Sequence, residues 1–172
     1  SIHENENLKR LPESFGNIQG LEKLYLYECF LETLPKLFGN LKTLKELDLR
    51  GNNLTDLPES FGSLESLTSL DLDDNLFTEF PRALLGLKNL EYLRIGNSYQ
   101  STERRCNLKE IPDDIDKMES LVDIDVMKTD ITDLPISLRN IKTLETVNAK
   151  NSNIDKIRKK ELEKKLGIEI FL

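Results

Sequence analysis

The sequence predicts an α/β solenoid with one short strand and one short helical turn per repeat, and two observations carry that prediction. The six prolines, Pro12, Pro35, Pro58, Pro81, Pro112 and Pro135, follow one another at intervals of 23, 23, 23, 31 and 23 residues. A fixed period in the twenties marks a stack of repeats. The second observation is composition. Of 172 residues, 32 are leucine, three are valine and two are alanine. A β-sandwich would draw on β-branched residues and a helical bundle on alanine, so neither fits.

The unit is clearest in its second copy, LPKLFGNLKTLKELDLRGNNLTD, residues 34–56. Its core positions are Leu34, Phe38, Leu41, Leu44, Leu47, Leu49 and Leu54. Leu47-Asp48-Leu49 alternates apolar and polar, as a half-buried strand does. Pro35 opens and Gly39 closes a single helical or 3₁₀ turn, because proline suits a first turn and glycine a stop. One strand and one turn cannot bury an apolar face alone, so the copies must stack.

The pattern LxxLxLxxNxL followed by LPxxFGxL resembles the leucine-rich repeat family. Its 23-residue, LP-containing form resembles repeats of Ras-associated scaffold proteins, plant intracellular Ras-group proteins and spirochaete proteins. The match runs over residues 8–154. It implies a right-handed superhelix with a parallel sheet on its concave face and short helical or 3₁₀ turns on the convex side. We divide the chain into a partial repeat (1–10), six repeats (11–156) with an insertion at 97–104, and a C-terminal cap (157–172). In the cap, 155–166 reads as a helix ended by Gly167, and Ile168 and Ile170 alternate as a last strand. At the other end only Leu8 fits the repeat, so the chain is expected to begin in mid-coil without a cap. The start at Ser1 points to a processed or truncated product.

The asparagine of the motif is Asn52 and Asn75 in copies two and three, and Cys29, Cys106, Thr129 and Ser152 in the others. The resemblance implies that this side chain turns inward and bonds the backbone of the adjacent coil. The cysteines then stand in for asparagine, unpaired with each other, since three strand spacings of ~4.8 Å exceed the ~7 Å limit between bridged Cα atoms. The rival reading is a reactive thiol at Cys106, activated by Arg104 and Arg105. The ten residues 96–105 replace two in a normal copy. They form either a tolerated surface loop or a specificity loop.

Chemistry is sparse. There is no phosphate-binding glycine loop and no zinc spacing. His3 is the sole histidine. Asp71-Leu72-Asp73-Asp74-Asn75 opens like a calcium loop, but Leu76 replaces the required glycine and Arg82 the bidentate glutamate. No catalytic residue, cofactor or metal site is expected. A net charge of −7 disfavours nucleic acid and anionic membranes as partners. No apolar stretch approaches the ~20 residues of a membrane helix.

Residues between the strand leucines face the concave side. They include Tyr25, Tyr27, Asp48, Arg50, Asp71, Asp73, Tyr92, Arg94, Asn97, Asp125 and Met127, with Tyr99 in the insertion. Tyrosine is a preferred interface residue, and aspartate is a poor strand former, so its repetition favours binding over a merely solvated face. The expected function is a non-enzymatic protein-binding module with partner contacts at Tyr25, Tyr27, Asp48, Arg50, Asp71, Asp73, Tyr92, Arg94, Tyr99 and Asp125. The expected partner is a protein presenting a basic segment, in a signalling or host-interaction scaffold. The alternative is a regulatory repeat domain of a larger enzyme such as a GTPase or kinase. Unpaired cysteines favour the cytoplasm, although secreted or surface repeats share that feature.

Overall fold

The computed structural model describes residues 8–98 and 105–172. Seven strands form one parallel sheet in chain order: β1 (Lys23–Tyr25), β2 (Glu46–Asp48), β3 (Ser69–Asp71), β4 (Tyr92–Arg94), β5 (Asp123–Asp125), β6 (Thr146–Asn148) and β7 (Glu169–Phe171). The register is constant. Leu24, Leu47, Leu70, Leu93, Ile124, Val147 and Ile170 are paired neighbour to neighbour, and all seven are buried. Opposite the sheet, each of the six coils makes one 3₁₀ turn, and four of these turns begin directly after the repeat proline. Proline's fixed φ and missing N–H suit that position.

The two layers enclose one continuous apolar core. Phe15, Phe38 and Phe61 stack ring on ring, with centroids 6.3 and 5.8 Å apart and planes within 7° of parallel. Leu84, Ile115 and Leu138 are buried at the same position of the later coils. The glycine after each of these three phenylalanines lets the turns approach. A Cβ on Gly39 would lie 1.8 Å from the Ser60 carbonyl oxygen, and one on Gly16 2.1 Å from that of Leu37. Coil spacing on this side is therefore set by backbone meeting backbone.

At the far end α1 (Lys156–Leu166) replaces the 3₁₀ turn. Asp155 caps it, accepting from the N–H groups of Ile157 and Arg158 at 2.8 Å each. Gly167 closes it with a φ of 73°, where a side chain would be strained. Leu162 and Leu166 seal the last coil, and Arg158 clamps Asp133 of the preceding coil through two hydrogen bonds.

The inward asparagines behave as the repeat pattern implies. Asn52 Oδ1 accepts from the N–H groups of Cys29 and Leu31, and its Nδ2 donates to the carbonyls of Leu26 and Leu49. Asn75 repeats this one coil on, accepting from Leu54 and donating to Leu49 and Leu72. Thr129 Oγ1 donates to the Val126 carbonyl at 2.6 Å, and Ser152 Oγ accepts from Ile154. The two cysteines form no disulfide and are fully buried, their thiols donating to the Tyr27 and Ile95 carbonyls.

The glycine stack yields a stability test. Gly39→Ala places its methyl against a backbone carbonyl that cannot swing away, a cost of about 1–3 kcal/mol. Gly20→Ala meets nothing within 4 Å and costs only the strain of its positive φ, about 1 kcal/mol. Urea denaturation of the two variants should rank them in that order, and the reverse order would remove coil spacing as the constraint.

Candidate functional site

The constant register lays the outward side chains in rows across the sheet. One row runs Lys23, Glu46, Ser69, Tyr92, Asp123, Thr146 and Glu169; the next runs Tyr25, Asp48, Asp71, Arg94, Asp125, Asn148 and Phe171. Between β1 and β5 they border a shallow hollow of about 290 Å³, lined by Tyr25, Glu46, Asp48, Asp71, Tyr92, Arg94 and Asp123 among others.

The aspartates of the second row have a local structural cause. Each stands at the last residue of its strand and accepts the backbone N–H two residues on. Asp48 takes that of Arg50 (3.1 Å), Asp71 that of Asp73 (3.0 Å) and Asp125 that of Met127 (2.9 Å). Asn148 does the same for Lys150. These Asx-type bonds end the strand and start the turn, so repetition of aspartate does not by itself signal binding.

Arg94 breaks that series, because a guanidinium cannot accept a hydrogen bond. The N–H of Gly96, two residues on, is accepted instead by Asp73 Oδ1 from the preceding coil, at 2.8 Å. Asp73 is therefore 5% exposed and held as a backbone support. The sequence reading placed it on the open face.

Two more positions depart from the outward assignment. Met127 is 2% exposed and Asn97 fully buried. Five coils turn after the strand through a residue of positive φ: Glu28, Gly51, Asp74, Lys128 and Asn151. Asn97 holds the same place in the fourth coil without that conformation, and its side chain folds inward. Its Oδ1 accepts from the N–H groups of Arg105 and Cys106, and its Nδ2 donates to the carbonyls of Cys106 and Lys128. The inward ladder of this coil is thus shared: Cys106 Sγ donates to the Ile95 carbonyl at 3.4 Å, as the motif position is expected to, and Asn97 adds the bonds to Arg105, Cys106 and Lys128. Arg105 turns back over two coils to the Asn52 carbonyl and Asn53 Oδ1, at 3.0 and 2.6 Å. Tyr99 and Arg104 lie outside the described residues.

The remaining candidates differ in how firmly they are held. Tyr25 donates its hydroxyl to Glu46 at 2.9 Å, and Lys23 pairs with the same carboxylate at 2.7 Å. Tyr27 lies under the Arg50 guanidinium, 4.9 Å from ring centroid to Cζ. Tyr92 is 48% exposed at the centre of the first row, with no hydrogen-bond partner among the described residues. Asp125 is bonded by Asn148 at 2.7 Å. Each of two central carboxylates forms a long ion pair, Asp48 with Arg50 at 3.6 Å and Asp71 with Arg94 at 3.8 Å.

Burial dominates the electrostatics. It pushes the carboxyls of Asp48, Asp71, Asp73 and Asp125 above the usual range, and neighbouring aspartates raise Asp71 and Asp73 further. Arg50 and Arg94 pull Asp48 and Asp71 back only in part, and Arg94 does the same for Asp125. Burial also pushes the Cys106 thiol up to about 12, which removes the thiolate that the reactive-thiol reading requires. Among the described residues no group of three histidine, cysteine, aspartate or glutamate side chains is arranged to hold a metal ion.

These raised values have a signed consequence. A carboxyl with a native pKa above its unfolded value favours the folded state when protonated. Its contribution is full below about pH 4 and is lost as pH rises through the native value. The outer coil contacts act elsewhere: Asp114, held down to about 2 by Lys117 and Arg82, loses its contribution only below pH 4. Stability should therefore decline between about pH 5 and pH 8. Asp73→Asn keeps an oxygen for the Gly96 N–H and removes the charge. It should flatten that decline and gain about 1 kcal/mol or more at pH 8, measured by urea unfolding at both pH values; an unchanged slope would show that Asp73 is not buried as described.

Comparison with known proteins agrees with this architecture. A leucine-rich repeat region model matches residues 36–167, and a single leucine-rich repeat model matches residues 20–41. No curated protein matches the sequence. Among solved structures, the plant peptide hormone receptor RGFR1 in complex with RGF2 is similar at 29% identity and a TM-score of 0.64, over 84% of this chain and 27% of that one. The Arabidopsis receptor kinase HAESA, in complex with the peptide hormone IDA and the co-receptor SERK1, is similar at 27% identity and a TM-score of 0.66, over 87% and 26%. An internalin from Listeria monocytogenes shares the fold at 17% identity and a TM-score of 0.72, over 95% and 44%. The chain spans about a quarter of the length of the two plant receptors. With the family model covering most of its length and the sheet and 3₁₀ turns in constant register, the chain belongs to the leucine-rich repeat family.

Proposed function

We propose that this domain is a non-catalytic protein-binding module whose concave sheet receives a basic segment of a protein partner, in a scaffold role. One observation carries the reading. A hollow on the concave sheet brings an exposed tyrosine, Tyr92, beside half-buried carboxylates whose cations stand 3.6 and 3.8 Å away. Arg50 and Arg94 offset part of the repulsion among these neighbouring carboxylates, and a lysine or arginine side chain laid across β2 and β3 adds further positive charge over them. Tyrosine adds contact area at small entropic cost. The similarity to receptors solved with peptide hormones supports a peptide-sized ligand.

Tyr92, Asp48, Asp71 and Asp125 are the contacts of this reading, with Arg50 and Arg94 setting register by repulsion. Tyr25 and Tyr27 contribute through ring faces already fixed by Glu46 and Arg50. Charge governs the association rate and the aromatic anchor the dissociation rate.

Biolayer interferometry against basic, neutral and acidic peptides of matched length tests the proposal. Basic peptides should bind and acidic ones should not. Asp48→Asn with Asp71→Asn should slow association and flatten its salt dependence. Tyr92→Ala should speed dissociation at a cost on the order of 1–3 kcal/mol. Acidic peptides binding, or both variants behaving as the parent, would overturn it.

A further inference from the structure

One element of this acidic chain is strongly basic. Over α1 six basic residues stand against two acidic ones, a net of +4 within a total of −7. Part of that charge is spent internally: Arg158 is held by Asp133 and Glu161 at 2.6 and 2.9 Å, and Lys159 reaches Glu163 at 3.4 Å. Lys156, Lys160 and Lys164 are not. They recur every fourth residue and so share one stripe, and all three are exposed. Among the described residues none of the three has a carboxylate within ion-pair distance. Like charges one turn apart weaken a helix, yet a chain of 31 acidic residues leaves these unneutralised. Beside Lys156 stands Ile157, 76% exposed.

We propose that this stripe is a basic segment the concave face receives, supplied by a second copy of the chain, with α1 of one molecule lying across β2–β5 of the next. This rests on the concave-face reading above. The dimensions agree. Lys156 to Lys164 spans about 12 Å at 1.5 Å per residue, and Asp48 to Asp125 spans three strand spacings, about 14 Å. Ile157 supplies an apolar side chain for the hollow between Tyr25 and Tyr92. Leu162 and Leu166 pin the other side of α1 to its own last coil, so the stripe cannot fold onto its own sheet. The two surfaces lie at different places on the molecule, so the contact is head-to-tail and does not close on itself. An anionic membrane or nucleic acid suits the lysines too, but the acidic remainder of the chain repels both.

Sedimentation velocity of the full chain tests the proposal. At low salt the weight-average mass should rise with concentration to at least twice that of the monomer, and at about 0.5 M salt it should return to the monomer, because the contact is screened. The triple variant Lys156→Glu, Lys160→Glu, Lys164→Glu and the double variant Asp48→Asn, Asp71→Asn should each remain monomeric alone. Mixed in equal amounts they should form a dimer and nothing larger, since the first keeps an intact concave face and the second an intact helix. A monomer at every concentration, association that survives high salt, or a triple variant that associates as the parent does would overturn the proposal. So would lysine-dependent binding of the monomer to phosphatidylserine vesicles or duplex DNA. A chain that stays monomeric yet binds a lysine-rich peptide refutes self-association and leaves the concave-face reading standing; one that does neither removes both.

Discussion

Each coil of this solenoid must turn its backbone against a largely apolar core, and the fold depends on satisfying the polar groups that turn buries. An unpaired buried N–H or carbonyl costs about 1–3 kcal/mol, so six such turns could undo a domain of ordinary stability. Asn52 and Asn75 meet the requirement by bridging their own coil to the preceding one. Because each asparagine serves two coils, satisfying the turn also ties those coils together, in keeping with the constant register of the sheet.

The same requirement explains the least regular part of the molecule. Arg94 stands where β2, β3 and β5 end in an aspartate, so the Gly96 N–H needs an acceptor from elsewhere. Asp73 supplies it, at the cost of burying a carboxyl beside Asp71. Residue 97 departs from the left-handed turn, and Asn97 adds bridging bonds beside the one that the motif position, now Cys106, keeps. What the concave face offers a ligand is what remains after these backbone demands are met: an exposed tyrosine and half-buried carboxylates, two of them in long ion pairs with guanidiniums.

Periodicity made most of this legible from sequence. Prolines 23 residues apart located the 3₁₀ turns, alternation located the strands, and Asp155 with Gly167 bracketed the last helix. The fourth copy was harder to read because an insertion removes the count on which register depends. Alternation points Asn97 outward, whereas its side chain turns inward beside Cys106, which keeps the bond to the Ile95 carbonyl that its motif position implies. The inward turn of Asn97 is made by a backbone dihedral that spacing does not encode. Asp73 was misplaced for a related reason: its burial answers a missing acceptor at position 94, one coil away, a dependence visible only once strands are aligned side by side. Reading the repeats as columns would have exposed Arg94 as the one basic residue in an otherwise acidic or neutral column, and that signal was available.

A basic ligand on the concave face, as we propose, adds positive charge over carboxylates that Arg50 and Arg94 offset only in part, and the Asp71 carboxyl reports on it directly. Its ¹³C resonance, titrated by NMR with and without a saturating lysine-rich peptide, measures the charge that arrives. The account predicts a native pKa above the usual aspartate range in the free protein and a clear fall when the peptide is bound. A pKa that is ordinary in the free protein, or unmoved by a peptide that binds, would contradict it.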